Sequence, residues 1–183
     1  MPIVSFAVEV ARAAGEVLLG RFEGALTVAS KSSARDLVTD ADQAAEALIV
    51  GRIRERFPEH GILAEEGGAA EPGPGAATWI IDPLDGTTNF AHGLPHFAVS
   101  IALDGPVGAR VGVVHDPIRG ETFFASRGGG AWLEGPRRPD RRLSVTACPR
   151  LDEALLATGF SYRRAETGRD NLAELAAVLP QVR

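Results

Sequence analysis

The sequence contains little sulfur and no long apolar run. Cys148 is the one cysteine among 183 residues, so these residues cannot form an internal disulfide, which favours a reducing compartment. No stretch reaches the roughly 18 to 20 apolar residues that span a bilayer. The N-terminus also lacks the basic segment and apolar core of a secretory signal. We therefore expect a cytoplasmic protein without a membrane partner.

An excess of positive charge is also missing. The formal net charge is −5, from 24 acidic residues against 19 lysines and arginines. Because phosphate backbones are held by dense basic surfaces, no nucleic-acid partner is expected. One basic cluster is interrupted by two prolines and an aspartate, and it predicts a solvated loop. Its members are Arg137, Arg138, Arg141 and Arg142.

The hydrophobic pattern changes from helical to strand-like along the chain. Apolar residues recur at helical spacing over residues 6–22, and again from Asp40 until Pro58 ends the second helix. Short apolar runs separated by glycine and proline then predict strands, and a last helix follows. The predicted strands are 61–64, 78–81, 97–103, 109–114, 121–125, 131–133 and 155–158, and the last helix is 172–179. This order predicts an α+β fold with helices packed on a mostly antiparallel sheet.

The most informative stretch is residues 79–90, WIIDPLDGTTNF. An apolar strand there ends in two carboxylates, Asp82 and Asp85, and carboxylate oxygens are ligands that Mg²⁺ prefers. Gly86 and Thr87 follow, where a helix start would present free backbone N–H groups to a phosphate. An isolated Asp85 would more often be a helix cap. The pair of aspartates before a glycine favours a metal site beside a phosphate cradle, as metal-assisted phosphate hydrolysis requires.

Two further acidic segments are candidates for the same site. Glu65 and Glu66 end a short predicted strand, and if the strand continues, one faces the site and the other faces solvent. Taken alone, this pair would be a solvated turn. At the start of the second helix, we assign Asp40 to the helix dipole and keep Asp42 for chemistry. Upstream, Lys31 is either an exposed lysine or a counter-charge for the acidic site.

These motifs resemble the inositol monophosphatase family. The resemblance covers essentially the whole chain and is carried by Glu65-Glu66 and by residues 36–39, 42, 79–95, 112–114 and 128–131. It implies a layered α/β sandwich fold. It also implies an enzyme that hydrolyses phosphate monoesters with two or three Mg²⁺ ions. The reaction it implies is in-line attack by a metal-activated water without a phosphoenzyme. The substrate that best matches residues 85–90 is myo-inositol monophosphate. Fructose bisphosphate, phosphoadenosine phosphate, histidinol phosphate or another sugar or nucleotide phosphate remains the alternative.

The resemblance also implies roles for individual residues. The metal ligands would be Glu65, Asp82, Asp85 and the backbone carbonyl of Leu84. Substrate contacts would come from Glu65, Leu84, Asp85, Gly86 and Thr87, the last two through their N–H groups. Catalytic roles would fall to Asp42, Glu65 and Thr87, with the Thr87–Asp42 pair helping to activate the attacking water. Lys31 would lie in a loop near the metals.

The resemblance also has gaps. The family's Trp-Asp element, whose aspartate is another metal ligand, has no counterpart, since Trp132 precedes Leu133 and Trp79 precedes Ile80. We therefore expect a metal- and phosphate-binding domain over 1–150 and the start of an incomplete C-terminal α/β subdomain over 151–183. A homodimer with a small phosphorylated substrate is expected. The alternative from another class is a truncated, non-catalytic metal- or phosphate-binding protein.

Overall fold

A computed structural model describes residues 2–22, 28–30, 37–65, 71–73, 75–161, 164–168 and 170–182. The chain divides into two compact units, Met1–Leu143 and Ser144–Arg183. Among the helices formed by the described residues, none has the length and apolar character needed to cross a membrane. The predicted division at residue 150 stays a prediction about domains.

The described part of the first unit consists of three helices and nine strands. In chain order they are α1 (Ile3–Phe22), β1 (Val28–Ser30), β2 (Leu37–Thr39), α2 (Asp40–Arg56), β3 (Gly61–Ala64), β4 (Thr78–Asp85), α3 (Thr87–Ala91), β5 (Ala98–Gly105), β6 (Gly108–Asp116), β7 (Glu121–Ser126), β8 (Gly130–Gly135) and β9 (Arg138–Leu143). Strands β1 and β2 form a separate antiparallel pair, and β3 to β9 form one sheet in sequence order. In that sheet β3 and β4 are parallel and every other neighbouring pair is antiparallel. The predicted α+β class with a mostly antiparallel sheet is confirmed.

Helices α1 and α2 supply the apolar stripes that cover one face of the sheet. Along α1 the buried side chains recur every four residues, which is the spacing that places them on one helix face. They include Phe6, Val10, Ala14 and Leu18. From the sheet, Val99, Ile101 and Leu103 of β5 alternate inward and are almost fully buried. Each such aliphatic side chain contributes about 1.5 to 3 kcal/mol when it leaves water.

Two sequence predictions about the C-terminal half are wrong. Arg138, Arg141 and Arg142 of the arginine cluster lie on a strand, β9, rather than in a solvated loop, and only Arg137 lies in the turn before it. As the outermost strand of the sheet β9 can hold Pro139, because a proline is tolerated at an edge, and charges there discourage pairing with another chain. Residues 155–158 form no strand, and Leu155 is 91% exposed. An apolar run becomes a strand only when a neighbour pairs with it.

The second unit has short elements. They are a 3₁₀ turn at Leu151–Glu153, helices α4 (Arg164–Thr167) and α5 (Leu172–Val178), and a 3₁₀ turn at Leu179–Gln181. The predicted last helix corresponds to α5 and the turn after it. Asn171 precedes α5, and its Nδ2 donates a hydrogen bond to the carbonyl of Gly159 at 3.2 Å.

A buried polar group holds α1 against the sheet. His115 of β6 is 5% exposed. Its Nδ1 lies 3.0 Å from Oγ1 of Thr122. The guanidinium of Arg12 donates to the same Thr122 hydroxyl at 3.1 Å and to Glu134 at 2.6 Å. The imidazole fills the space beside Gly15, where an added Cβ would lie 2.6 Å from His115 Cδ2. Burial, and then the positive charge of Arg12, lowers the pKa of His115, while Glu121, Asp116 and Glu16 oppose this.

The lowered pKa of His115 predicts a loss of stability in acid. Below the ordinary value of 6.5 the unfolded chain binds a proton at this histidine that the folded chain resists. The free energy of unfolding should therefore be highest above about pH 6.5 and should fall as the pH drops through that value. Urea unfolding at several pH values in wild type and His115→Gln measures this. The fall should be shallower in the variant, and equal slopes would contradict the assignment to His115.

Candidate active site

Glu65 and Asp82 occupy matching positions just beyond the paired residues of β3 and β4. Strands β3 and β4 are parallel, and the last paired residues are Ala64 and Ile81. Glu65 follows the first directly, and Asp82 follows the second. Glu65 is exposed and Asp82 is half-buried. Where the parallel pairing of β3 and β4 ends, each strand is thus followed by one acidic residue, in matching positions.

A β-bulge in β4 brings Asp85 to the face that Asp82 occupies. Asp82 pairs with Ser100 and Asp85 pairs with Ala98, so three steps along β4 match two steps along β5. In a regular strand, residues three apart point to opposite faces. The extra residue of the bulge removes this difference, because Ala98 and Ser100 are two apart and share a face. Both carboxylates therefore lie on one face of the sheet.

The sequence between the two aspartates explains the bulge. Pro83 has no N–H to give to β5. The N–H of Leu84 donates to Oδ1 of Asp82 at 3.2 Å. The Leu84 carbonyl accepts a hydrogen bond from Oγ1 of Thr87 at 2.9 Å. The two backbone groups of Leu84 are thus satisfied locally, and the side chain of Leu84 is buried.

Gly86 is the residue that opens α3, and its backbone requires a glycine. It is the residue before the helix and has φ of +93°, without a side-chain cap. An added Cβ would lie 3.0 Å from the carbonyl oxygen of His96 and 3.3 Å from Cα of Phe97. The left-handed backbone and the closeness of residues 96–97 both exclude a side chain. Asp85 does not act as the helix cap, because the capping position belongs to Gly86.

The fit to a divalent cation rests on donor chemistry. The candidate ligands at the ends of β3 and β4 are all oxygen atoms, and hard cations prefer such donors. They are the carboxylates of Glu65, Asp82 and Asp85 and the backbone carbonyl of Leu84. Among the described residues, no three His, Cys, Asp or Glu side chains stand close enough together to form a complete metal site. The structure therefore brings the two aspartates to one face and places Glu65 beside them, and it does not gather the three carboxylates into one cluster.

The structure describes only some of the other predicted site residues. Asp42 lies in the first turn of α2 and is 1% exposed, so its carboxylate belongs to the interior. The predicted link between Asp42 and Thr87 stays a prediction. Lys31, Asp36 and Glu66 lie outside the described residues. Among the histidines, His115 is buried, while His92 and His96 are exposed.

Asn89 is a residue that sequence analysis did not single out as functional. Its Nδ2 donates to the carbonyl of His96 at 2.8 Å, which is the carbonyl that lies against Gly86. No sequence pattern indicates this contact, because the acceptor is a backbone atom seven residues away in a turn.

The mostly antiparallel sheet, with α1 and α2 on one face and two aspartates before the glycine that opens α3, defines an α+β class of fold. The sequence profile of the inositol monophosphatase family matches residues 1–183. The chain is 47% identical over 165 residues to a protein named Nus factor SuhB from Pseudomonas aeruginosa, covering 88% of this chain and 59% of that protein. The chain belongs to the inositol monophosphatase family.

Solved structures agree with this assignment. Extragenic suppressor protein suhB from Bartonella henselae superposes with a TM-score of 0.85 at 37% identity, over 99% of this chain and 69% of that one. Inositol monophosphatase from Anabaena (Nostoc) gives 0.82 at 40% identity, over 98% of this chain and 64% of that one. The chain spans about 59% of the length of the curated relatives that it matches first.

Proposed function

We propose that the chain provides the metal- and phosphate-binding part of a magnesium-dependent phosphomonoesterase acting on myo-inositol monophosphate. The observation that carries the proposal is the β4 bulge, which turns Asp82 and Asp85 to one face immediately before Gly86. Oxygen donors for a cation and backbone donors for a phosphate then lie within the six residues 82–87. Phosphate monoester hydrolysis needs this combination.

Each residue has a task in the proposed reaction. Glu65, Asp82, Asp85 and the Leu84 carbonyl would hold Mg²⁺, which when bound supplies Lewis-acid stabilisation of the negative phosphoryl oxygens. The N–H groups of Gly86 and Thr87 bind and orient the phosphate. The Thr87 hydroxyl donates a hydrogen bond to the Leu84 carbonyl oxygen, and this bond fixes the carbonyl that would contact the cation.

The proton and the leaving group follow from the same assignment. Water attacks phosphorus in line, and the bond from phosphorus to the ester oxygen breaks. The ester oxygen leaves with the bonding electrons as an alkoxide, which takes a proton from solvent water to give the alcohol. The proton lost by the water would pass through the Thr87 hydroxyl to the Asp42 carboxylate, which requires that hydroxyl to exchange its hydrogen bond to Leu84 for one to Asp42. Glu65 would lie on the side from which the water attacks. Most of the rate enhancement then comes from positioning and charge stabilisation.

A substrate panel tests the proposal. The chain is assayed for phosphate release from myo-inositol 1-phosphate, fructose 1,6-bisphosphate, a 3′,5′-nucleoside bisphosphate and histidinol phosphate, with Mg²⁺ or with EDTA. The highest kcat/KM is expected for myo-inositol 1-phosphate, and EDTA should remove the activity. A higher kcat/KM for another compound would transfer the substrate assignment to that compound.

A non-catalytic binding protein is the second candidate. It is favoured by the absence of a three-residue acidic cluster among the described residues, and by a relative whose name is Nus factor SuhB. Calorimetry should then show binding of Mg²⁺ or inorganic phosphate by a chain that releases no phosphate from any compound of the panel. Turnover above that of the EDTA control would exclude this candidate.

We also propose a homodimer, supported by the sheet face opposite α1 and α2. Leu63, Ile80, Val114 and Phe123 share that face and are 55%, 44%, 43% and 38% exposed. Exposed apolar groups on one face favour association. Light scattering should give twice the chain mass, and Phe123→Lys, away from the aspartates, should weaken the dimer, while Val107→Lys, at a turn and 74% exposed, should not. A monomeric wild-type chain would contradict this proposal.

A further inference from the structure

The segment between α3 and β5 is attached to the helix through Asn89. The backbone carbonyl of Asn89 accepts hydrogen bonds from the N–H of Leu94 at 2.8 Å and of His92 at 3.2 Å. The N–H of His96 in turn donates to the carbonyl of Leu94 at 2.8 Å. Residues 92–96 are therefore a turn that folds back on Asn89.

The side chain of Asn89 closes this turn at its far end. Its Nδ2 donates to the carbonyl oxygen of His96 at 2.8 Å. That oxygen is the nearest atom to the position that a Cβ on Gly86 would occupy, at 3.0 Å. The side-chain amide of Asn89 thus holds the His96 backbone against Gly86, the glycine of the site.

The rest of α3 is fixed by its core contacts. Phe90 is fully buried and its ring lies 5.3 Å from that of Phe22 and 4.9 Å from that of Phe97. These contacts hold the helix and Phe97, and the Asn89 side chain adds a hydrogen bond to the carbonyl oxygen of His96. Since His96 is exposed, water can replace the lost hydrogen bond and the fold can survive without it.

We propose that Asn89 is a positioning residue for the phosphate-binding backbone, because it holds the His96 carbonyl against Gly86 and so fixes the direction of the Gly86 and Thr87 N–H groups. This inference rests on the proposed function of the site and adds a residue that acts on phosphate rather than on the cation. Losing the amide donor should weaken phosphate binding without changing the Mg²⁺ requirement.

Three variants separate this role from general destabilisation. Asn89→Asp keeps the shape and loses the donor, and Asn89→Ala loses the donor without adding charge. Asn171→Asp is the matched control, because Asn171 Nδ2 also donates to a carbonyl, that of Gly159, in the second unit. The probes are inorganic phosphate as a competitive inhibitor and Mg²⁺ alone as activator.

The inhibition constant of phosphate should rise on the order of tenfold in both Asn89 variants, as expected when a binding group is misplaced. The Mg²⁺ concentration for half-maximal activity should stay that of wild type, and Asn171→Asp should change neither. An unchanged phosphate constant, or an equal rise in both quantities, would overturn the inference.

Hydrogen–deuterium exchange tests the contact independently of activity. Amides of residues 86–97 should exchange faster in both Asn89 variants, while those of the β6–β7 hairpin should be unchanged. If the wild-type chain released no phosphate, the proposed function would fail, and exchange would still decide the structural step. Equal exchange at residues 86–97 in wild type and variants would overturn the positioning role.

Discussion

Gly86→Ala is expected to lower kcat/KM for phosphate release at least about 100-fold, since a misplacement of about 1 Å has effects of this size. Gly86 has φ of +93°, and an alanine Cβ would lie 3.0 Å from the His96 carbonyl oxygen. Left-handed backbone costs a residue with a Cβ roughly 1 to 2 kcal/mol. The contact with His96 adds to this, so residues 96–97 or the Gly86 N–H must move. Either movement disturbs the backbone that receives the phosphate.

The control for Gly86→Ala is Gly128→Ala. Gly128 lies in the turn between β7 and β8 with φ of +79°, and an added Cβ there meets nothing within 4 Å. Both variants therefore carry the conformational penalty, and only Gly86→Ala carries the contact at the site. Steady-state kinetics with thermal melting of both proteins measures the difference. If the two variants lost activity to the same extent, the phosphate role of Gly86 would be refuted.

Trp79→Ala is expected to lower the free energy of unfolding by about 3 to 5 kcal/mol. The indole is 0% exposed, and its ring lies 5.8 Å from Phe6 and 5.7 Å from Phe57. Its Nε1 donates to Nδ1 of His60 at 3.0 Å. Trp79 belongs to β4, which also carries Asp82, so a cavity here loosens the strand that presents the site.

Urea unfolding followed by circular dichroism measures this loss without depending on tryptophan fluorescence. Trp132→Ala is the matched control, because that indole is 37% exposed and its Nε1 bonds to the Gly129 carbonyl. Its loss should be close to the typical value for one replaced hydrogen bond, about 1 kcal/mol. Comparable losses in the two variants would show that Trp79 is not a central part of the core.

Much of the fold could be predicted from the sequence because periodicity reports burial directly. The four-residue repeat of α1 and the apolar runs of β3 and β4 required no knowledge of their partners. The acidic residues at the ends of β3 and β4 were visible for the same reason, since each follows its strand in the sequence. Glu65 and Asp82 were therefore predicted together, and the parallel pairing that places them side by side is an observation of the structure.

The remaining features depend on pairing between distant segments. A register shift between Asp82 and Asp85 exists only relative to β5, so sequence spacing alone could not show that these two carboxylates share a face. The arginines of β9 lie in a strand because this segment pairs with β8. The bond from Asn89 to the His96 carbonyl has a backbone acceptor, which any residue at position 96 would supply.

Asp85, at the end of β4, is the metal ligand on which the proposed phosphate hydrolysis most depends. The most direct test of this role is Mg²⁺-dependent release of phosphate from myo-inositol 1-phosphate by wild type, Asp85→Asn and Asp140→Asn, each first shown by gel filtration to be folded. Asp140 is an exposed aspartate on β9 and matches the change of charge. We predict turnover in wild type and Asp140→Asn, with loss of about 100-fold or more in Asp85→Asn, as for removal of a transition-state charge contact. Turnover by Asp85→Asn at the wild-type rate, or none by the folded wild-type chain, would contradict it.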